Sequence, residues 1–362
     1  MDAKHYCDFL EELLNSPSPS GYERFGSQEE FKRFCRDIDG VKEEFTDTMG
    51  NCAFSIGNDV KGSVMISGHI DEIGFQVSMI TEEGLVHVLP LGGVDLKCSL
   101  GQQVDIISSR LGQKIPGIIG KKPIHIEYDD RDSRWGEIKP EDILIDIGEM
   151  SKNKTELQVS IGDPVVFKSN LIKFFGDGSL CMSKGLDDKV GVFISALVLK
   201  QLSYLKPEFF NNYKIWCVST TQEEVGLRGA MRAVKKIGPT YSIDVDVTFA
   251  TDEGRGIKKE TYGDIKLGGG PVIMHGPDNS AMMVGSLKKL AKWKGLKYQE
   301  AISSVGGTNT AAIQESSLTD TETIHIGLPL RNMHTPVEVC SWDDINNCVD
   351  LIIAEIENLC TN

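Results

Sequence analysis

The sequence predicts an α/β fold in which a sheet covered by helices is interrupted by a small β-barrel-like domain. Segments with strand and helix character alternate along residues 1–72 and again along residues 166–362, as in sheets that helices cover on both faces. Residues 73–165 instead contain short apolar runs between glycine-rich turns, which is typical of an all-β unit. The length of 362 residues also favours more than one domain.

The elements follow in chain order. Residues 4–15 predict an amphipathic helix that ends at the Ser-Pro-Ser-Pro stretch at 16–19. Two β-like runs follow, at 52–56 and 63–68. Within the insertion, short apolar runs predict five strands, at 76–80, 86–91, 103–107, 115–119 and 143–147.

The α/β alternation resumes after residue 170. The stretch LIKFFGDGSLCM predicts a hairpin with a Gly-Asp-Gly turn. Strands are predicted at 213–220, 243–250 and 323–328, and helices at 190–201, 230–236, 280–294 and 343–359. We expect Ser341 to cap the last helix, with Asp344 three residues on as its capping-box partner.

Composition excludes several classes of protein. The formal net charge of −15 argues against a nucleic-acid partner, which normally leaves a basic footprint. No run of 18 apolar residues predicts a membrane span, and the N-terminus lacks the pattern of a signal peptide. The nine cysteines show no CxxC pair, which indicates free thiols and a cytoplasmic location.

The stretch SGHIDEIGF combines an apolar strand with polar side chains at its end. His69 and Asp71 are two residues apart and share one face of a strand. Open α/β sheets bind ligands at the carboxyl ends of their strands. A turn in which Asp71 caps a loop explains this fragment equally well.

Two further stretches carry pairs of adjacent acids. In SKGLDDKVG, Asp187 and Asp188 precede an apolar helix, where capping and the helix dipole explain them simply. One of the two can nevertheless cap while the other faces a cation. In TTQEEVGLRGA, Glu223 and Glu224 follow a buried strand, and two neighbouring buried carboxylates repel each other. A metal ion removes that conflict.

The last two stretches contribute acids in a strand and a histidine in a loop. In SIDVDVTFATDEG, Asp244 and Asp246 lie on one face, against the strand propensity of acids. An exposed edge strand is the alternative explanation. His334 lies in LPLRNMHTPVEV, where a solvated loop histidine is the simpler interpretation.

Together these stretches predict a site for two metal ions. Imidazole and carboxylate ligands suit zinc or a similar first-row ion, and two ions activate water for hydrolysis. A bridging carboxylate, plus one histidine and one carboxylate per ion, completes such a site. The residues that supply this set, with Glu223 left over, are His69, Asp187, Glu224, Asp246 and His334.

The sequence resembles the tetrahedral (TET) and glutamyl aminopeptidases, dinuclear metallopeptidases that have also been called endoglucanases. The resemblance covers nearly the whole chain and implies a zinc-exopeptidase-like fold. Its motifs are SGHIDEIGF, IPGIIGKKPIHIE, ILIDIGEMSK, SIGDPVVF, TTQEEVGLRGA, DVTFATD, GGTNTAAIQ and PLRNMHTPVEV.

The resemblance implies a role for each residue. His69 and Asp246 complete one metal ion, Glu224 and His334 the other, and Asp187 bridges the two. Glu223 is then the general base, and Asp71 holds His69 in the right tautomer. It also implies two divalent ions per subunit, zinc or cobalt, peptide substrates, and a dimerisation domain at 73–165. Six dimers of such chains build a tetrahedral dodecamer.

Three alternatives remain open at this stage. A related carboxypeptidase or amide deacylase needs a cation for a substrate carboxylate, for which Arg228 and Arg331 are candidates. An endoglucanase uses two carboxylates and no metal, which leaves the histidines without a role. A non-catalytic scaffold would be expected to lose the base or a ligand.

The chain departs from the family pattern at two places. It has Asp187-Asp188-Lys189 where Asp-Asn-Arg is expected, and Asn309 where the family more often has aspartate. Neither change alters an implied ligand. Both bear on the surroundings of the metals and on the substrate pocket.

Overall fold

The chain divides into two compact units in the computed structural model, which describes residues 2–123, 125, 138–205, 210–303 and 307–361. The first unit comprises Met1–Glu72, Asn170–Met333 and Glu338–Asn362, and the second comprises Ile73–Ser169 and His334–Val337. The predicted fold class, an α/β sheet interrupted by a β-barrel, is confirmed. Residues 126–137 of the predicted insertion lie outside the described residues.

The strands are numbered in chain order. They are β1 (Lys42–Thr46), β2 (Cys52–Gly57), β3 (Gly62–His69), β4 (Gly74–Ile80), β5 (Val86–Leu91), β6 (Gln103–Ser108), β7 (Gln113–Ile119), β8 (Leu144–Asp146), β9 (Pro164–Phe167), β10 (Ile172–Phe175), β11 (Leu180–Ser183), β12 (Tyr213–Thr220), β13 (Tyr241–Phe249), β14 (Val272–His275), β15 (Gln299–Ile302), β16 (Glu322–Leu330) and β17 (Glu338–Ser341).

The α-helices are numbered in the same way. They are α1 (Cys7–Asn15), α2 (Ser27–Arg36), α3 (Leu96–Ser99), α4 (Lys152–Thr155), α5 (Leu186–Leu202), α6 (Arg228–Ile237), α7 (Lys259–Tyr262), α8 (Ala281–Lys294), α9 (Asn309–Ser316) and α10 (Trp342–Thr361). No helix in these described ranges is long and apolar enough to cross a bilayer.

Eight strands of the first unit form one mixed sheet in the order β1-β2-β12-β3-β13-β16-β14-β15. The four central strands, β12, β3, β13 and β16, run parallel to one another, so their carboxyl ends reach the same edge. The edge-strand explanation for Asp244 and Asp246 is therefore wrong, because β13 lies in the middle of the sheet. Both carboxylates are buried.

Alternate residues of β3 face two different hydrophobic cores. Val64 and Ile66 belong to the larger core, which contains buried side chains of α1, α2, α5, α8 and α10. Met65 points to the opposite face and packs with Ala230 and Ile313, in helices α6 and α9. Because both faces of the strand are covered, its sequence reads as a continuous apolar run.

The predicted hairpin forms β10 and β11 and is extended by β17 into a three-stranded sheet. In its register Ser183 lies opposite Glu338. Residues 176–178, Gly-Asp-Gly, make the turn as expected, and both glycines have positive φ. This small sheet delivers the chain to the start of α5.

The second unit is a closed barrel in the order β4-β5-β8-β7-β6-β9. Its interior is filled by alternating apolar side chains, among them Phe75, Val104, Ile106 and Phe167. Phe75 and Phe167 meet edge to face with ring centroids 5.6 Å apart. The barrel thus has a hydrophobic core of its own.

Of the two residues predicted to cap the last helix, Ser341 does so and Asp344 does not. The Ser341 hydroxyl accepts a hydrogen bond from the Asp343 amide, as a cap does. Asp344 does not complete a capping box. Its buried carboxylate instead accepts the N–H groups of Gly268 and Gly270, at 2.8 and 2.6 Å, because a tertiary partner competes with the local one.

Candidate metal centre

His69 ends strand β3 and lies at the centre of a buried acidic cluster. Its Nε2 is 3.1 Å from Oδ1 of Asp187, and 3.9 Å from both Oδ1 of Asp246 and Oε2 of Glu223. The imidazole is almost completely buried. Residues from four separate stretches of sequence therefore meet at one nitrogen atom, as predicted from their positions at strand ends.

Two overlapping triads in this cluster have the chemistry and spacing of metal ligands. One consists of His69, Asp187 and Glu224, and the other of His69, Glu223 and Asp246. In each triad the potential ligand atoms lie within 4.8 Å of one another. Five of the predicted residues are thus together, although both triads share His69 and their grouping differs from the one that the family resemblance implied.

Asp187 and Asp188 divide the two tasks foreseen for them. Asp188 caps helix α5 because its Oδ1 accepts the N–H of Gly191 at 3.1 Å, while its Oδ2 accepts the N–H of His69 at 3.1 Å. Asp187 faces the imidazole. Both residues have non-helical backbone angles, and the peptide bond between them is cis.

Asp71 contacts His69 and also organises the neighbouring turn. Its main-chain oxygen lies 3.1 Å from Nδ1 of His69, closer than its carboxylate at 3.5 Å. The carboxylate accepts the N–H groups of Glu223 and Glu224, at 3.0 and 3.2 Å, and the Ser20 hydroxyl at 2.7 Å. Asp71 therefore holds the two glutamates by their backbone.

Asp244 and Asp246 have different surroundings although they share a face of β13. Asp244 accepts hydrogen bonds from the hydroxyls of Ser67 and Thr310, at 2.7 and 3.2 Å. Each carboxylate oxygen of Asp244 therefore accepts a hydrogen bond from a neighbouring hydroxyl. Asp246, two residues nearer the carboxyl end, faces His69 instead, which makes it the aspartate of this strand suited to hold an ion.

The electrostatics of the cluster call for a cation. Burial, together with the neighbouring Glu224, Asp187 and Asp71, raises the pKa of Glu223 to about 8 against the opposing effect of His69. Burial likewise raises the pKa of Asp246 far above its usual range. Burial would lower the pKa of His69, but Glu223 and Asp187 raise it well above normal. A divalent ion would relieve this repulsion, so the donor set fits a metal.

Glu72, the residue after Asp71, belongs to a buried triad of charged side chains. Glu72 forms ion pairs with Lys184 and, at 2.8 Å, with Lys189. Lys189 also donates to the main-chain oxygen of Ser16, and Glu72 accepts the Ser18 N–H. All three charged side chains are buried. Lys189, one of the departures from the family pattern, thus has a defined partner.

Asn309, the other departure, begins helix α9 and is buried. Its Nδ2 donates to the Thr220 hydroxyl at 3.2 Å. Its Oδ1 has no hydrogen-bond partner among the described residues. Gly306, which starts the GGTNT motif, lies outside the described residues.

His334 belongs to the second unit, where its Nδ1 lies 2.9 Å from the main-chain oxygen of Gly93. Its predicted role as a ligand therefore stays a prediction. Arg331 is held by Asp252 through two hydrogen bonds, of 2.9 and 2.7 Å, and Arg228 lies 3.4 Å from the side chain of Gln222.

Two buried glutamates at the site were not singled out from the sequence. Glu338 accepts the N–H of Asp187 at 3.1 Å, and Glu23 accepts the N–H of Gln222 at 3.0 Å. Glu338 stands within a quoted motif, but nothing in its spacing marks it. Glu23 follows a Ser-Pro-rich stretch that indicated only the end of a helix.

Comparison with known proteins agrees with this geometry. The family model described as M42 glutamyl aminopeptidase matches residues 50–351. The lysyl aminopeptidase of Pyrococcus furiosus is 28% identical over 97% of both chains. Among solved structures, the TET aminopeptidase of a marine sediment archaeon of the Thaumarchaeota has a TM-score of 0.88 at 28% identity, covering 99% of this chain and 98% of that one.

A second solved structure, of the Pyrococcus horikoshii TET1 peptidase, has a TM-score of 0.82 at 28% identity and covers 96% of this chain and 98% of its own. That peptidase can assemble into a tetrahedron or a large octahedral shell. The family match spans most of the present chain, and the structural likeness extends over both units. The chain therefore belongs to the M42 glutamyl aminopeptidase family and is a peptidase.

Proposed function

We propose that this protein is a metal-dependent aminopeptidase whose site holds two divalent ions and uses Glu223 as its general base. The observation that carries the proposal is the convergence of one imidazole and four carboxylates within two overlapping triads. Zinc or cobalt suits this mixture of nitrogen and oxygen ligands. The ligands would be His69, Asp187, Glu224, Asp246 and His334.

Held by these residues, ions of this kind would polarise the scissile carbonyl and would lower the pKa of a water molecule at neutral pH. Glu223 accepts the proton of the attacking water and passes it to the leaving amine. Its carboxylate is suited to this because burial raises its affinity for a proton. Asp71 fixes the backbone of Glu223, so the base keeps its orientation.

The charge of the site favours a substrate with a free amino terminus. An α-ammonium group is attracted by the surrounding carboxylates, whereas a substrate carboxylate needs a free cation. Arg331 forms a two-fold hydrogen-bonded pair with Asp252, which makes it a poor anchor for a carboxylate. This pairing removes one of the two candidate cations of the carboxypeptidase alternative; Arg228, which lies 3.4 Å from the side chain of Gln222, is the other. A scaffold is disfavoured because all six predicted positions are present.

We also propose that the chain forms dimers through the barrel domain at 73–165, which assemble into a tetrahedral dodecamer in the cytoplasm. The assembly of the related Pyrococcus horikoshii peptidase supports this. The barrel unit also exposes large apolar side chains, among them Met79, Leu89, Leu157 and Ile161. Native mass spectrometry should detect particles of twelve chains.

The first experiment is hydrolysis of aminoacyl-chromogenic substrates after chelation, with and without added Zn²⁺ or Co²⁺. We expect metal-dependent release from free-amine substrates and none from N-acetylated controls. The panel also separates acidic from basic preferences, which the glutamyl family and the lysyl relative leave as alternatives. Turnover of blocked substrates alone would favour the deacylase, and no turnover with any metal would favour the scaffold.

The second experiment tests the base. Glu223→Gln should retain bound metal, measured by elemental analysis, and lose about 10²- to 10⁴-fold in kcat, because the amide cannot accept the proton. Glu44→Gln, on the edge strand β1, is the matched control and should keep wild-type kcat. Full activity of Glu223→Gln would refute the assignment of the base.

A further inference from the structure

The turn that carries Glu223 and Glu224 is held by two buried carboxylates from outside it. Three successive N–H groups, those of Gln222, Glu223 and Glu224, each donate to a carboxylate oxygen. Gln222 donates to Oε1 of Glu23 at 3.0 Å, and the two glutamates donate to Asp71 at 3.0 and 3.2 Å. The donors are adjacent, so the two acceptors act on one short segment of backbone.

Glu23 is fully buried, and its side chain accepts hydrogen bonds from backbone N–H groups. Its Oε1 also accepts the N–H of Gly21 at 2.9 Å. Its Oε2 has no hydrogen-bond partner in the described part of the chain. A buried carboxylate is costly, and most of what Glu23 receives in return comes from the backbone of the Gln222 turn and of its own loop.

The backbone at Gln222 explains why the turn needs an external acceptor. Its φ is 56°, in the left-handed region that non-glycine residues rarely adopt. Such a conformation persists only where the surrounding structure determines it. The N–H of this residue points to Glu23, and the next two residues carry the carboxylates of the site.

The loop that supplies Glu23 also reaches Asp71. The hydroxyl of Ser20 donates to Oδ2 of Asp71 at 2.7 Å, three residues before Glu23. One N-terminal segment therefore supplies one acceptor of the turn, Glu23, and contacts the other, Asp71. This second contact ties the position of Glu23 to that of Asp71.

We propose that Glu23 is a positioning residue that fixes the Gln222 backbone and thereby directs the carboxylates of Glu223 and Glu224. The inference rests on the proposed function for the roles of those two glutamates. Glu23 acts through the position of its Oε1 atom, which the length of its side chain determines, and not through its negative charge. This distinguishes it from a residue that tunes the electrostatics of the site.

Two conservative variants separate reach from charge. Glu23→Gln keeps an oxygen at the same reach and loses the charge, so kcat should stay within about threefold of wild type. Glu23→Asp keeps the charge and is one methylene shorter, so kcat should fall about 10- to 100-fold while KM changes little. Glu29→Asp, on helix α2, is the matched control and should leave kcat unchanged.

The metal provides a readout besides activity. Titration with Co²⁺, followed by visible absorption, should show about 10-fold weaker binding to Glu23→Asp because Glu224 is misdirected. Binding to Glu23→Gln should match the wild type. Circular dichroism of each variant separates these effects from loss of folded protein.

A double variant tests whether Glu23 acts through Glu223. In the Glu223→Gln background, Glu23→Asp should lower kcat by less than it does in the wild type, because the base is already removed and only the effect through Glu224 is left. Losses that multiply, or equal kcat and Co²⁺ affinity in Glu23→Asp and wild type, would overturn the inference. Reduced kcat in Glu23→Gln with normal Glu23→Asp would do the same. Wild-type kcat in the single variant Glu223→Gln would instead overturn the proposed function.

Discussion

The buried triad of Glu72, Lys184 and Lys189 allows a quantitative prediction. Burial would raise the pKa of Glu72, but the two lysines lower it from 4.5 to about 2. By linkage, this difference corresponds to about 3 kcal/mol of stability. Because the pKa is lower in the folded state, this stability is present above about pH 4.5 and is lost as the pH falls toward 2.

Removing the charge leaves two buried ammonium groups without a counter-ion. We expect Glu72→Gln to reduce the free energy of unfolding by about 3–5 kcal/mol at pH 7. The amide retains an acceptor for the Ser18 N–H, so the loss isolates the charge. The assay is urea unfolding followed by circular dichroism. The deficit relative to wild type should shrink as the pH falls below 4.5.

The control is a more exposed pair of the same kind. Glu43 and Arg36 are 2.7 Å apart, and their side chains are 30% and 53% exposed. Glu43→Gln should therefore cost less than about 1 kcal/mol. If Glu72→Gln shifts the unfolding midpoint no more than Glu43→Gln does, the triad does not stabilise the fold. Adding Lys184→Met and Lys189→Met to Glu72→Gln should restore most of the lost free energy of unfolding. If the triple variant is as unstable as Glu72→Gln, the uncompensated lysine charges are not the cause of the loss.

Two further predictions concern helix packing and the metal. Gly191→Ala should destabilise the protein by about 1–3 kcal/mol despite its better helix propensity, because its Cβ would lie 2.5 Å from the Val245 main-chain oxygen. Gly285→Ala, in open space on α8, should instead stabilise by about 0.5–1 kcal/mol, and thermal unfolding measures both. Chelation should lower the unfolding temperature, and Zn²⁺ at 100-fold above its dissociation constant should restore about 2.7 kcal/mol; an unchanged temperature would contradict a bound metal.

The sequence was most informative where local chemistry and final environment agree. The buried strands β3 and β12 are continuous apolar runs, and their bounds were predicted to within one residue. His69 and Glu224 were recognisable because polar groups directly after such runs must lie at the edge of the sheet. Asp187 was predicted on other grounds, as one of two acids before an apolar helix, and Asp246 as an acid within an apolar strand.

The sequence was least informative where contacts between residues far apart in the chain determine the local structure. Strand β1 reads Lys-Glu-Glu-Phe-Thr, without an apolar alternation, because it lies at the edge of the described sheet, next to β2. Glu23 interacts with Gln222, 199 residues away, and no local pattern indicates such a contact. Asp344 was predicted as the capping-box partner of Ser341, but its carboxylate binds the N–H of Gly268 instead. In each case the deciding interaction is tertiary.

The order of the central sheet has a consequence for how the chain folds during synthesis. In the described sheet, strand β3 is paired with β12 and β13 and not with β2, the strand that precedes it in the chain. Gly68 meets Thr220 across a sequence separation of 152 residues. At the usual pace of translation, the ribosome needs about 8 to 30 s to supply that partner. During this interval β3 is an unpaired apolar strand with two open edges, so nascent chains that end before β12 should depend on chaperones to remain unaggregated.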